Sequence, residues 1–395
     1  MGNPIRNIVN KESFMLNRRT ALIIVLLLAL VCTAWAVPKN IILFIGDGMG
    51  PAHVAAARIV SLGPGGRLTM DSMPISGFVT TYSANALVTD SAAAGTALAT
   101  GVKTNNGMIS IAPNGKRLKT ILEASREIGK ATGLVTTTSI TDATPAAFAS
   151  HVENRGQQEA IAGQLIASRV DVLFGGGKAY FVPNASGDSW RSDNRDILAE
   201  AKSKGYSVIN ATDELKSINS RKIVGLFSQG NLTTKDPEPP LSVLAAKAIE
   251  TLSANEKGFF LMVEGGQIDI ASHHNDFDEM IKQLLEFDKA VAQGLAFAQK
   301  DGNTLVIVTA DHETGGLTLL CDDKGKLKPS WSSGGHSGSV VPLYAFGPGA
   351  GHFSGLLDNT QVSNNIAGIW GVQIGLQDSS RKATGSERVL TASPS

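Results

Sequence analysis

Asp269 and His273 stand four residues apart, so on one helical turn a carboxylate and an imidazole face the same way and can share a cation. Three further acidic positions follow apolar, β-branched runs: Asp47 after Ile41–Ile45, Glu264 after Phe259–Val263, and Asp311-His312 after Leu305–Thr309. One acidic residue past a strand is often only a helix cap. Three of them at the carboxyl ends of strands in one parallel sheet would point into one crevice, which is where such sheets bind ligands. The segment Gly46-Asp47-Gly48-Met49-Gly50 is glycine-rich after a strand, but it lacks the G-x-G-x-x-G spacing of a dinucleotide loop. An aspartate there would also repel a pyrophosphate, whereas its flanking glycines let a metal ion approach a hard oxygen ligand. His336 lies in Gly334-Gly335-His336-Ser337-Gly338, whose small residues suit a ligand or a loop. A lone histidine is usually structural, and His53, His151 and His352 are read that way. His273, His312 and His336 instead sit beside acidic or glycine-rich segments, which points to metal.

Asp90-Ser91 opens the alanine-rich stretch Ser91–Ala99, which an aspartate or serine cap would explain by itself. The same helix start also offers unpaired N–H groups and a positive dipole end to a phosphate or to a developing serine alkoxide. The elements that must position these residues show as alternating patterns. Expected strands are Asn40–Ile45, Gly133–Thr138, Asp171–Phe174, Ile223–Phe227, Phe259–Val263, Thr304–Thr309 and Val341–Phe346. Expected helices are Ala52–Val60, Ser91–Ala99, Leu118–Ile128, Gln157–Ala167, Leu241–Ser253 and Asp276–Gln299. The alternation predicts an α/β fold: a doubly wound, mostly parallel central sheet with helices on both faces and right-handed crossovers. Residues 178–240, with Trp190 and Pro237-Glu238-Pro239-Pro240, read as a loop-rich insertion over one edge.

The chain of 395 residues carries 35 basic and 35 acidic side chains, so no overall charge steers it to nucleic acid or to an anionic membrane. Any anion must meet a local site. Arg18 and Arg19 precede an apolar run from Ala21 to Val31, and Ala34-Trp35-Ala36 offers a small-x-small cleavage site, so residues 1–36 are expected to be a signal peptide. The apolar run is about half the length a membrane-spanning helix needs, which makes an uncleaved anchor the weaker reading. Export to the periplasm or the extracellular space follows. One catalytic domain over 37–376 and a polar tail over 377–395 complete the expected organisation. Cys32 leaves with the signal, so only Cys321 remains and no internal disulfide is expected.

The motifs NIILFIGDGMG, VTDSAAAGTALATG, TDATPAAFASHVENR, MVEGGQIDIASHH, VIVTADHETGG and GGHSG together resemble the alkaline phosphatase family, over about Lys39 to Gly371. The resemblance implies that Ser91 becomes phosphorylated and that Arg155 clamps phosphate. It implies a first zinc at Asp269, His273 and His336, and a second at Asp47, Asp311 and His312. A third ion, magnesium, would sit on Asp47, Thr144 and Glu264, with Asp142 as its partner through water. It further implies homodimers and phosphate monoesters as substrates, with two zinc ions about 4 Å apart binding the attacking and leaving oxygens of an in-line displacement. The chain departs from some members in its length, its lack of disulfides, and Ile270 after Asp269 where they place lysine or histidine.

Three other readings compete. A phosphodiesterase could use the same metal core, although Arg155 favours a dianionic monoester. A sulfatase would need a Cys/Ser-x-Pro-x-Arg motif, and Ser91-Ala92-Ala93-Ala94-Gly95 has neither proline nor arginine. A catalytically silent phosphate- or zinc-binding protein would not need nucleophile, clamp and three complete sites together.

Overall fold

A computed structural model describes residues 37–376; the expected signal segment 1–36 and the tail 377–395 lie outside the described residues. Fourteen strands run in chain order: β1 Asn40–Ile45, β2 Ile75–Thr80, β3 Ala131–Ser139, β4 Val172–Gly176, β5 Ser207–Ile209, β6 Ile223–Leu226, β7 Phe259–Glu264, β8 Thr304–Thr309, β9 Glu313–Thr314, β10 Leu317–Cys321, β11 Leu327–Trp331, β12 His336–Ser337, β13 Val341–Phe346 and β14 Gly355–Asp358. Ten of them form one sheet in the order β14-β2-β13-β8-β1-β7-β3-β4-β6-β5. Every neighbouring pair is parallel except those made by β13, which runs antiparallel to both β8 and β2. The central strands β1, β7 and β8 are buried along their whole length, as continuous apolar strands must be when helices cover both faces. The α/β, doubly wound, mostly parallel architecture is therefore present.

Register decides where the functional groups fall. Ile45 at the end of β1 lies opposite Glu264 of β7 and Thr309 of β8, and Thr136 of β3 lies opposite Glu264. The residues that follow these ends, Asp47 and Asp311-His312, consequently emerge beside Glu264 at one edge of adjacent strands. The long helix Phe277–Asp301 packs closely on the sheet at Gly294, where an added Cβ would lie 2.6 Å from the Phe44 ring. Glycine is what permits that approach.

β1, β8, β13 and the helix Leu241–Ser253 have the expected bounds. The segment 178–240 carries more regular structure than the one strand, Ile223–Phe227, expected within a loop-rich insertion. It supplies β5 and β6 to the far edge of the sheet, with short helices at Ile197–Ser203 and Thr212–Ser217. Arg191 holds its first part in place, pairing with Asp193 and donating to the carbonyls of Glu159 and Tyr180. Among the described residues no helix is long and apolar enough to cross a membrane.

Candidate active site

Asp90, not Ser91, caps the helix Ser91–Thr100: its side chain accepts from Ala93 N at 3.0 Å and from Gly107 N at 2.9 Å. That settles which of the two residues does the capping, and it leaves the Ser91 hydroxyl for other work. Ser91 is the first helical residue, buried, with Oγ 3.2 Å from His312 Nε2.

Two clusters flank this serine. Asp269 and His273 lie on the helix Gln267–His273, as their spacing predicts, with Nε2 and Oδ2 3.2 Å apart. β12 brings His336 to them, its Nε2 3.2 Å from His273 Nε2. The Nδ1 atoms of both histidines are fixed by backbone carbonyls, His273 by Gly334 at 2.7 Å and His336 by Thr89 at 2.9 Å. Each Nδ1 is therefore a donor, which leaves both Nε2 atoms turned toward Asp269 and toward each other. The hydrogen bond to Asp269 raises His273 to about 9, so a positive charge is already favoured at this spot, and two nitrogens bound tetrahedrally to one zinc at about 2.05 Å stand about 3.3 Å apart. The second cluster is Asp47, Asp311 and His312, with His312 Nε2 3.4 Å from Asp47 Oδ1 and 3.2 Å from Asp311 Oδ2. Both carboxylate oxygens are buried without a hydrogen bond, which a cation ligand would relieve.

A third group lies near Asp47, whose carboxyl both Glu264 and Asp142 repel. Glu264 is buried and accepts from the hydroxyls of Thr136 and Thr138. Thr144, on the short helix Ala143–Ala149, has a buried hydroxyl without a well-formed hydrogen bond. Asp142 caps that helix and accepts from Arg155 Nη2 at 3.0 Å, while Arg155 Nη1 lies 3.5 Å from Asp90. Arg155 is thus tethered between the caps of two helices. His274 is exposed and joins neither cluster.

The electrostatics call for cations. Burial, reinforced by Asp311, Asp269, Glu264 and Asp142, pushes the Asp47 carboxyl well above its ordinary range. Burial likewise lifts Glu264 to about 8 and Asp311 to about 6. Asp269 is buried too, but the hydrogen bond from His273 and the nearby His312 hold it below the usual carboxylate range. Burial depresses His312 to about 4. So many carboxylates cannot all be ionised here without compensating charge, and the donors fit metals: nitrogen and carboxylate in two clusters, oxygen alone in the third.

Sequence reasoning did not find several supporting groups. Asp90 as an Arg155 partner, the Thr89 and Gly334 carbonyls, Thr136, and Thr314, which donates to Asp269 Oδ1, all depend on contacts between distant segments.

An arrangement that can place a tetrahedral anion between two cations, beside a serine at a helix start, belongs to a metal-dependent hydrolase on a doubly wound sheet. Residues 38–330 match the family described as alkaline phosphatase. Alkaline phosphatase 4 of Bacillus subtilis is 34% identical over 83% of this chain and 88% of its own. The alkaline phosphatase of Escherichia coli is 35% identical over 85% of this chain and 86% of its own. Among solved structures, alkaline phosphatase from the Antarctic bacterium TAB5 superposes with a TM-score of 0.78 at 36% identity, covering 84% of this chain and 98% of that one. A histidine-to-aspartate mutant of TAB5 alkaline phosphatase, solved with Mg bound in the M3 site, gives a TM-score of 0.80 over 86% of this chain and 99% of that one. The chain belongs to the alkaline phosphatase family, a family of metal-dependent phosphoric monoester hydrolases.

Proposed function

We propose that this protein converts phosphate monoesters to an alcohol and inorganic phosphate through a phosphoserine at Ser91, at a site for two zinc ions and one magnesium ion. The observation that carries the reading is the Ser91 hydroxyl, released from capping duty by Asp90 and standing 3.2 Å from His312 where the two clusters meet. Asp269, His273 and His336 would hold the first zinc, and Asp47, Asp311 and His312 the second. Asp47, Thr144 and Glu264 would hold magnesium, with Asp142 reaching it through water. When bound, these ions stabilise the attacking and leaving oxygens of an in-line displacement and acidify water and hydroxyl groups.

The protein's own groups do the rest. The amino-terminal end of the helix Ser91–Thr100 favours negative charge on Ser91 Oγ and on the phosphate it receives. His312, depressed to about 4 by burial, is too weak a base to keep the serine proton, so its lone pair acts as a ligand. Arg155, about one-third exposed, offers a planar pair of N–H donors to two non-bridging phosphate oxygens, and Asp142 and Asp90 aim it. A diester keeps two non-bridging oxygens but has lost the third and one negative charge, so a site of cations and an arginine favours the dianionic monoester. Acid quenching during turnover of a labelled monoester tests the reading: label should remain on the protein at Ser91, and its appearance on any other residue would overturn the assignment.

The third ion should be magnesium because its ligands are all oxygens and Asp142 adds another. The magnesium of the aspartate-bearing TAB5 mutant is in keeping with that choice. Anomalous scattering at the zinc edge should give two strong peaks and none between Thr144 and Glu264; a third strong peak there would show the oxygen set to hold zinc. The reading also carries export behind a cleaved segment 1–36, a single catalytic unit over 37–376 and a homodimer. Phe78 and Leu356, neighbours across β2 and β14 and both largely exposed, give a partner copy apolar surface at the sheet edge.

A further inference from the structure

Thr314 is fully buried and lies among all the elements that meet at the site. Its backbone N–H donates to Gly48 O at 3.1 Å, next to Asp47, and it pairs with His336 across β9 and β12. Its hydroxyl touches Asp269 Oδ1 on one side and His312 Nδ1, at 3.2 Å, on the other. The space is tight: a Cβ on Gly48, whose φ is +72°, would lie 2.9 Å from both the Thr314 hydroxyl and Asp269 Oδ1.

A hydroxyl has one proton to give. The ionised carboxylate of Asp269 is the stronger acceptor, so the proton goes there and the oxygen can only accept from His312. His312 must then carry its own proton on Nδ1, which leaves Nε2 as a bare lone pair facing Asp47, Asp311 and Ser91. His273 and His336 have their tautomers set by main-chain carbonyls, which substitution does not remove. For His312 the corresponding group is a side chain. The chain of donors runs from His312 Nδ1 through Thr314 Oγ1 to Asp269 Oδ1, and so joins a ligand of one cluster to a ligand of the other.

We propose that Thr314 is a positioning residue that fixes the His312 tautomer and so sets His312 Nε2 as a ligand for the second zinc, while its proton holds Asp269, a ligand of the first. This rests on the two-zinc reading above. Hydrogen-bond partners of metal ligands typically matter at about the 10–100-fold level in metal affinity.

The test uses full-length protein stripped of metal and titrated with zinc against a chromophoric chelator, with no activity readout. Wild type should bind two zinc ions tightly. Thr314→Val, which keeps the shape and removes the hydroxyl, should bind zinc about 10–100-fold more weakly, and Thr314→Ser should restore the affinity. The cobalt(II) absorption spectrum should move in the valine variant and return in the serine variant. Valine binding zinc as tightly as wild type would overturn the role of Thr314 alone. A serine variant as weak as the valine variant would overturn it too, because packing rather than the hydroxyl would then be responsible. Wild type that binds no zinc pair would bring down the two-zinc reading and this inference with it. Circular dichroism of both variants in excess zinc separates a misfolded protein from a weakened site.

Discussion

Ser91→Ala should abolish the trapped phosphoprotein and lower turnover by at least about 10³-fold, the scale on which removing a covalent nucleophile acts. Alanine keeps the helix start, because Asp90 does the capping, so the variant should fold and melt close to wild type. The loss is then chemical and not structural. Arg155→Ala should fail differently. Arg155 neutralises and orients phosphate without forming a bond, so its variant should still label Ser91, more slowly and at higher substrate concentration. It should also relax Asp142 and Asp90, which it bridges. Quench-flow on both variants reads the contrast directly. Labelled phosphate on Ser91→Ala at any residue, or no label at all on Arg155→Ala, would break the division of roles.

Metal removal should cost stability as well as activity. Without cations, Asp47, Glu264, Asp269 and Asp311 share a small buried volume, and the melting temperature should fall by on the order of 10 °C in chelator and recover with zinc. The pH dependence has a definite sign. Burial and mutual repulsion raise the folded-state values of Asp47, of Asp311 to about 6 and of Glu264 to about 8. A carboxyl raised in the folded state binds more protons there than in the unfolded chain. The contribution of these three groups to the stability of the stripped protein is therefore fully present below the ordinary carboxyl range near pH 4 and is lost as pH rises toward about 8, while the lowered Asp269 and His312 act in the opposite sense at the acid end. The loaded protein should lack most of that slope. Thermal scans of stripped and loaded protein between pH 5 and 8 check this; parallel curves would mean that the carboxylates are not compensated by metal.

Much of this organisation shows in the sequence because it is local. The mostly apolar runs Asn40–Ile45 and Thr304–Thr309 declare buried parallel strands, and the Asp269–His273 spacing declares one helix face. The helix Ala143–Ala149 escaped because all seven of its residues are buried, so it has no polar face to create a stripe. β2 escaped through the Gly77 that interrupts it, where a Cβ would lie 2.3 Å from Gly355 O. The two-residue pairing of β9 with β12, which seats His336, follows no pattern within either segment. The same holds for the choice between Asp90 and Ser91 as cap. Spacing allowed both, and the bond that Asp90 accepts from Ala93 N decides it.

Metal-dependent attack on phosphate monoesters is tested most directly by the rate of hydrolysis of a monoester and of a matched diester, each measured with zinc and magnesium and again after chelation. The expected result is rapid release of inorganic phosphate from the monoester, at least about 10²-fold slower cleavage of the diester, and loss of both in chelator with recovery when zinc returns. A diester cleaved as fast as the monoester, or monoester turnover that survives complete removal of metal, would contradict it.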